Sequence, residues 1–193
     1  MLINMVLPGA AGSAEEPFAF EYSGNFTDNR VDGVGTVRLN TSGTLTVTGA
    51  PVTVSATIVG AGGGAAINTT YYGGGASGGG GGIQTVEVTL EPGAYDIVIG
   101  TGGSPASKTG SGTTVAATNG GDTTAFGYTS TGGKGASGGA TPAGGAAGAP
   151  NATAGTKQSY SGQTIAGGSP NGGGLDGNTP QAGGDGYVDL TFS

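Results

Sequence analysis

The chain has no cysteine and no histidine. That excludes a disulfide framework, a thiolate metal site and a sulfur nucleophile, and it removes imidazole both as a base and as a metal ligand. Basic residues are almost as scarce. Five Lys and Arg stand against twelve Asp and Glu, for a formal charge of −7, and this argues against a nucleic-acid partner. An acidic surface favours solubility and selects no partner by itself. No apolar run approaches the roughly 20 residues that a membrane-spanning helix requires, so membrane insertion is not expected. The opening "MLINMVLPGAAGSAEE" contains a short apolar stretch. No Lys or Arg precedes it and Pro8-Gly9 interrupts it early, so a cleaved signal is not expected.

Glycine is what the chain has instead: 47 of its 193 residues, with 9 prolines beside them. Without a period, that level of Gly and Pro marks low-complexity disorder. Two features oppose disorder. Only 9% of residues are charged, and the 34% that are apolar gather in short alternating runs.

Those runs read as β-strands. "FAFEY" sets Phe18, Phe20 and Tyr22 on one face, and "GTVRLNTSGTLTVT" alternates Val37 and Leu39, then Leu45 and Val47. The spacing around Ser42-Gly43 predicts two strands joined by a tight turn. "VTVSATIVG" alternates Val52, Val54, Ala56 and Ile58. "IQTVEVTL", the turn "EPG" and "AYDIVI" present Val86, Val88 and Leu90 and then Tyr95, Ile97 and Ile99, a second predicted hairpin. "GYVDLTF" ends the chain with Val188, Leu190 and Phe192 in alternation. No segment sustains a helical period free of glycine or β-branched residues, so almost no α-helix is expected.

Between these strands the glycine repeats in threes. From Gly132 the triplets are GGK GAS GGA TPA GGA AGA, and from Gly168 they are GSP NGG GLD GNT PQA GGD GYV. Three residues is the period of the polyproline II helix, which rises about 3.1 Å per residue and has no internal hydrogen bonds. Its backbone donors and acceptors all point outward. Glycine on the inward edge lets neighbouring helices come close enough to bond to one another, which satisfies groups that could not otherwise be buried. Each tract runs two to four triplets, roughly 20–35 Å, before a turn. The fold class expected is mainly β with polyglycine II: a small antiparallel sheet or sandwich joined to a bundle of glycine helices. The expected divisions are an N-terminal extension over 1–21 and a glycine-rich domain over 22–193. Within that domain the β parts lie near 22–60, 83–99 and 186–192, and the tracts near 60–82, 100–121 and 130–185. Gly135→Val and Gly174→Val are expected to destabilise by prying neighbouring backbones apart.

Several chemical motifs match only because glycine is abundant. "VGAGGGA" fits a dinucleotide-binding pattern at Gly60, Gly62 and Ala65, but the glycine run after it cannot open the required helix. "GASGG" around Ser77 and Ser137 resembles a hydrolase elbow without a histidine base. "GGKGAS" lacks the Ser or Thr that a phosphate-binding loop sets directly after its lysine, here Lys134. Asp122, Asp176 and Asp185 are scattered in glycine-rich loops without a calcium-loop pattern and read as turn caps. The sequons at Asn25, Asn40, Asn68 and Asn151 reflect Ser/Thr richness. No catalytic residue, cofactor or metal is expected.

The order of the pieces carries a resemblance. "YSGNFTDNRVDGVGTVRLNTSGTLTV", "ATIVGAGGG", a glycine run, "LEPGAYDIVIGTGG" and "GGDTTAFGYTSTGGKGASGG" follow one another from Tyr22 onward. Together they resemble the glycine-rich domain of bacteriophage tail-fibre and tail-tip proteins, and are similar to the polyglycine II sandwich adhesins of T-even-like phages. The resemblance implies a non-enzymatic virion protein, at the tail, a fibre tip or the outer surface of the particle. A rigid glycine core would present variable loops to a bacterial surface receptor, either a protein or a glycan. Other virion proteins would be its partners, a homotrimer is one assembly it allows, and residues 1–21 would serve for attachment. Alternatives are a capsid- or tail-decorating protein, an ice-binding polyglycine bundle and a carbohydrate-active enzyme with a carboxylate pair. In the adhesin reading the candidate contact residues are Tyr160, Lys157 and Gln158 in the interruption 152–165, together with Tyr71 and Tyr72, because aromatics outside strands make good binding anchors. Phe126 and Tyr128 are expected to pack as core between the hairpin and the bundle.

Overall fold

The computed structural model describes residues 16–69, 74–110, 114–157 and 164–193. Its first half is a β-sandwich. One sheet pairs β1 (Ala19–Tyr22), β4 (Gly43–Thr48) and β9 (Gly93–Ile97) in that order. The other sheet has the order β2 (Phe26–Asp28), β3 (Gly35–Leu39), β17 (Tyr187–Phe192), β5 (Val52–Val59), β8 (Ile83–Leu90). Every pairing in both sheets is antiparallel. Between the sheets lies a core that includes Val37, Leu39, Leu45, Val47, Ile58 and Leu190. These are the inward residues that the period-two alternation predicts, because successive side chains on a strand point to opposite faces. The fold is mainly β, and no α-helix occurs among the described residues.

Both predicted hairpins are overturned. β3 and β4 follow each other in sequence but lie in opposite sheets, as do β8 and β9. Residues 40–42 and Glu91-Pro92 are corners of the sandwich, and Pro92 has no amide with which to extend a ladder. Alternation assigns each strand its buried face. It does not say which neighbour shares its edge, and β8 pairs instead with β5 from Val52↔Leu90 to Val59↔Ile83. The expected boundary after residue 21 falls inside β1, whose register runs Ala19↔Thr48 to Tyr22↔Leu45.

The two chains leaving the β5–β8 ladder become the centre of the second half. Residues 58–68 and 75–82 are buried without interruption. In the outgoing run, Gly60 and Gly63 donate to Gly82 and Gly79 at 2.8 and 2.9 Å. Ala61 and Gly64 donate to Gly121 and Thr118, both at 3.1 Å, and Gly62 and Ala65 to Gly184 and Gln181, both at 3.0 Å. Each third residue therefore turns to the same neighbour. The returning run obeys the same rule: Ser77 and Gly80 reach Thr156 and Thr153, Gly78 and Gly81 reach Gly173 and Pro170, and Gly79 and Gly82 reach Lys134 and Thr131. Carbonyls on the remaining sides of the outgoing run accept from Gly103, Gly133 and Gly173 at 2.8 Å each. A threefold period with every bond made laterally is the pattern expected of packed polyglycine II.

A run bonded on six sides has no outward edge, so it has room for little beyond the methyl groups of Ala61 and Ala65. A Cβ on Gly62 would overlap the Asn171 carbonyl, one on Gly63 the Lys134 carbonyl, and one on Gly81 the Gly60 carbonyl. This is why residues 78–82 are all glycine. The outer tract over 143–149 buries one residue in three. Gly145 and Gly148 are buried while Ala143, Ala146 and Ala149 face solvent. Those buried positions keep the three-residue spacing of the buried Gly133, Ala136 and Gly139 across the turn.

At the rim, side-chain oxygens complete the amide bonding. Thr118, Thr131 and Thr153 accept through Oγ1 from Ser104, Ala149 and Ser169 at 2.7, 2.8 and 2.7 Å. Asn119 Oδ1 accepts from Gly135, Asp122 Oδ1 from Gly132 and Asp185 Oδ1 from Gly102. The capping role expected of Asp122 and Asp185 therefore serves the edge of the bundle.

Where bundle and sandwich meet, β12 (Thr123–Ala125) and β13 (Tyr128–Ser130) form a hairpin absent from the predicted elements. Phe126 and Gly127 turn it with φ of 53° and 81°, the two positive values of a type I′ turn. Phe126 packs on Tyr95 with ring centroids 5.7 Å apart, as expected. Tyr128 does not join the core and is 41% exposed, because the turn points it outward.

Candidate functional site

The molecule has two dissimilar ends. At the far end of the sandwich, Phe18 stacks against Phe192 and Phe20 against Phe26, with ring centroids 5.8 and 5.9 Å apart. The Arg30 guanidinium lies over Phe20 and Phe192, 4.9 and 4.8 Å from the ring centres. Arg30 also forms a fork on Asp28, at 2.9 and 2.7 Å, which holds the Asp28 carboxyl below its ordinary range. Arg38 makes the equivalent fork on Asp189, at 2.7 and 2.6 Å, across the β3–β17 pair. Both arginines are thus engaged with carboxylates.

The other end is the tip of the bundle, where the glycine tracts reverse. β6 (Ala66–Asn68) continues the outgoing central run, and β7 (Gly74–Ala76) begins the returning one. β10 (Ala106–Lys108) lies parallel to β6, with Lys108 opposite Asn68. Lys157 forms a bridge to Ala76 on the far side of β7. β11 (Val115–Ala116) pairs with β14 (Ser137–Gly138), and β15 (Leu175–Asp176) with β16 (Thr179–Pro180). A small apolar plug of Ala65, Ile67, Leu175 and Ile165 closes the interior behind these turns. Side chains return here because the outermost tracts have solvent on one side.

Of the predicted contact residues, Lys157 lies at this tip and is exposed. Gln158, Tyr160, Tyr71 and Tyr72 lie outside the described residues. Lys108 is a further exposed tip cation that the sequence reading left unnamed. Its signal was available, since "SKTG" interrupts a glycine tract as "GTKQ" does. Among the described residues no group of three His, Cys, Asp or Glu side chains converges as a metal site. The tip is a rim of hydroxyls, amides and two ammonium groups around a side-chain-poor platform, suited to hydrogen bonding and charge attraction.

A family model described as a glycine-rich domain matches residues 37–192. That span takes in the bundle and all of the sandwich except β1, β2 and the first two residues of β3. No curated protein matches the chain.

Proposed function

The chain belongs to the glycine-rich domain family, and from that premise we propose that it is a bacteriophage virion protein of the tail fibre or tail tip that binds a receptor on the bacterial surface. The observation that carries this reading is the division of labour in the bundle. Two central runs of glycine and alanine, bonded on all sides, make a stiff platform nearly free of side chains, and the longer side chains stand on the outer tracts and at the tip. Such a platform can hold different loops without altering its core, as a recognition module must. The order of motifs from Tyr22 onward, similar to phage tail-fibre glycine-rich domains, adds the virion setting. In this reading the protein is non-enzymatic, its partners are the receptor and neighbouring virion proteins, and the sandwich end faces the particle.

Tyr160, Lys157 and Gln158, with Tyr71 and Tyr72, are the proposed contact residues. Tyr160→Ala combined with Lys157→Ala should lower adsorption of particles to host cells while circular dichroism and melting temperature stay as in the parent. Normal adsorption by the double variant would remove this loop from the contact. Full adsorption by particles lacking the protein altogether would favour the second reading, a decorating subunit, which the stiff core would serve equally well.

A further inference from the structure

Charge is segregated along the molecule. The sandwich carries the exposed carboxylates Glu16, Glu21, Asp32, Glu87, Glu91 and Asp96, and both of its arginines are closed onto Asp28 and Asp189. Asp122 and Asp185 sit at the junction, bonded to amides of the bundle. All three lysines of the chain, Lys108, Lys134 and Lys157, lie in the bundle and are exposed. Among the described residues the only carboxylate in the outer part of the bundle is Asp176. Residues 70–73, 111–113 and 158–163, outside the described residues, contain no charged residue. A protein of formal charge −7 therefore ends in a net-positive tip.

Distance makes that local charge effective. From Gly60 to Asn68 the central run spans about 25 Å at a rise near 3.1 Å per residue. The Debye length at physiological salt is about 8 Å, so the acidic sandwich is screened from an approaching ligand at the tip. Lys108 and Lys157 border the same small sheet from opposite sides, three strand spacings apart, or about 15 Å. Around them stand the exposed hydroxyls of Thr69, Thr109, Thr114 and Thr156. Two lysines whose backbones stand this far apart are spread too widely to be built for one phosphate. They match anionic groups repeated along a polymer, and the hydroxyls between them match sugar.

We propose that the lysine-bearing tip binds an anionic polysaccharide. This deepens, and rests on, the adhesin reading, for it names the chemistry of the receptor. The charge polarity also orients the approach, since an anionic cell surface repels the sandwich and attracts the tip.

The test uses the full chain and dextran sulfate as probe, with neutral dextran and poly-glutamate as comparisons, at two salt concentrations. The parent protein should bind dextran sulfate, weaken as salt rises and ignore neutral dextran. Lys108→Gln with Lys157→Gln should lose roughly tenfold or more in affinity. Ala19→Glu with Ala94→Glu changes the net charge by the same amount on exposed strand positions of the sandwich, and should bind like the parent. Equal binding by the lysine variant, equal loss in both variants, or preference for poly-glutamate would overturn the proposal. Cell adsorption separates it from the reading on which it rests. If the parent adsorbs to host cells and the lysine variant adsorbs equally at every salt concentration, the anionic ligand fails and the adhesin stands. If the parent does not adsorb at all, the adhesin reading itself fails.

Discussion

At the residue scale, the fold depends on glycine for space more than for flexibility. Gly81 is buried, and a Cβ there would overlap the Gly60 carbonyl, which is backbone and has nowhere to move. Gly184 belongs to the same bundle but is exposed, and its Cβ would meet only the Asn171 side chain at 3.4 Å, an ordinary contact. We expect Gly81→Ala to cost about 3 kcal/mol or more, as overpacking against fixed atoms does. Gly184→Ala should stay within about 0.5 kcal/mol of the parent, because it is a surface change without a clash. Equilibrium unfolding of the two variants compares them directly, and equal stabilities would contradict the packing described. Gly135, where a Cβ would overlap the Ala117 carbonyl, should behave like Gly81. At Gly174 the overlap is smaller but still a clash with backbone, the Ile165 oxygen lying 2.7 Å from its Cβ position, so substitution there should also destabilise.

At the scale of elements, a polyglycine tract resembles a β-strand in one respect: its amides must find partners outside itself. Central tracts find them in other tracts. Outer tracts have amides that face no neighbouring backbone, and there serine, threonine, asparagine and aspartate oxygens complete the set. Thr131 is the clearest instance. Its Oγ1 accepts from the Ala149 amide at 2.8 Å while its own amide donates to the Ala149 carbonyl at 2.9 Å. Thr131→Val keeps the shape and removes the acceptor, so it should cost about 0.5–1.5 kcal/mol, the net worth of one hydrogen bond at a solvent-facing rim. Thr131→Ser should recover most of that. A valine variant as stable as the parent in chemical denaturation would mean that water replaces the hydroxyl without loss.

At the scale of the whole molecule, the sandwich and the bundle are one continuous ladder. The β5–β8 register ends at Val59↔Ile83, and the next bond along is Gly60 to Gly82. The least accessible backbone is therefore glycine, far from the aliphatic core. Amide exchange should reflect this, since protection follows burial and bonding together. We expect the amides of residues 60–64 and 78–82 to exchange as slowly as those of β5 and β17, and the amides at the tip turns to exchange first. Rapid exchange across 78–82 with β5 still protected would mean that the bundle opens independently of the sandwich.

Sequence alone determined the local terms of this structure. Alternation at Val37, Leu39, Val54, Ile58, Val188 and Leu190 named the buried faces, because a strand's two faces differ by one residue. Triplet glycine named the packing mode, because only a threefold helix puts every third residue on one side. Sequence also placed Lys157 in an interruption of the tracts. Tertiary structure decided everything that depends on which chain lies beside which. It separated β3 from β4 and β8 from β9, since alternation is the same whether a strand pairs with its neighbour or turns a corner. It turned Tyr128 outward on a two-residue loop while burying part of Phe126, and it brought Lys108 and Lys157 to one end. The glycine tracts make the reason general. A run such as Gly78 to Gly82 carries no side chain to say what it touches, so its six neighbours are chosen by the rest of the fold.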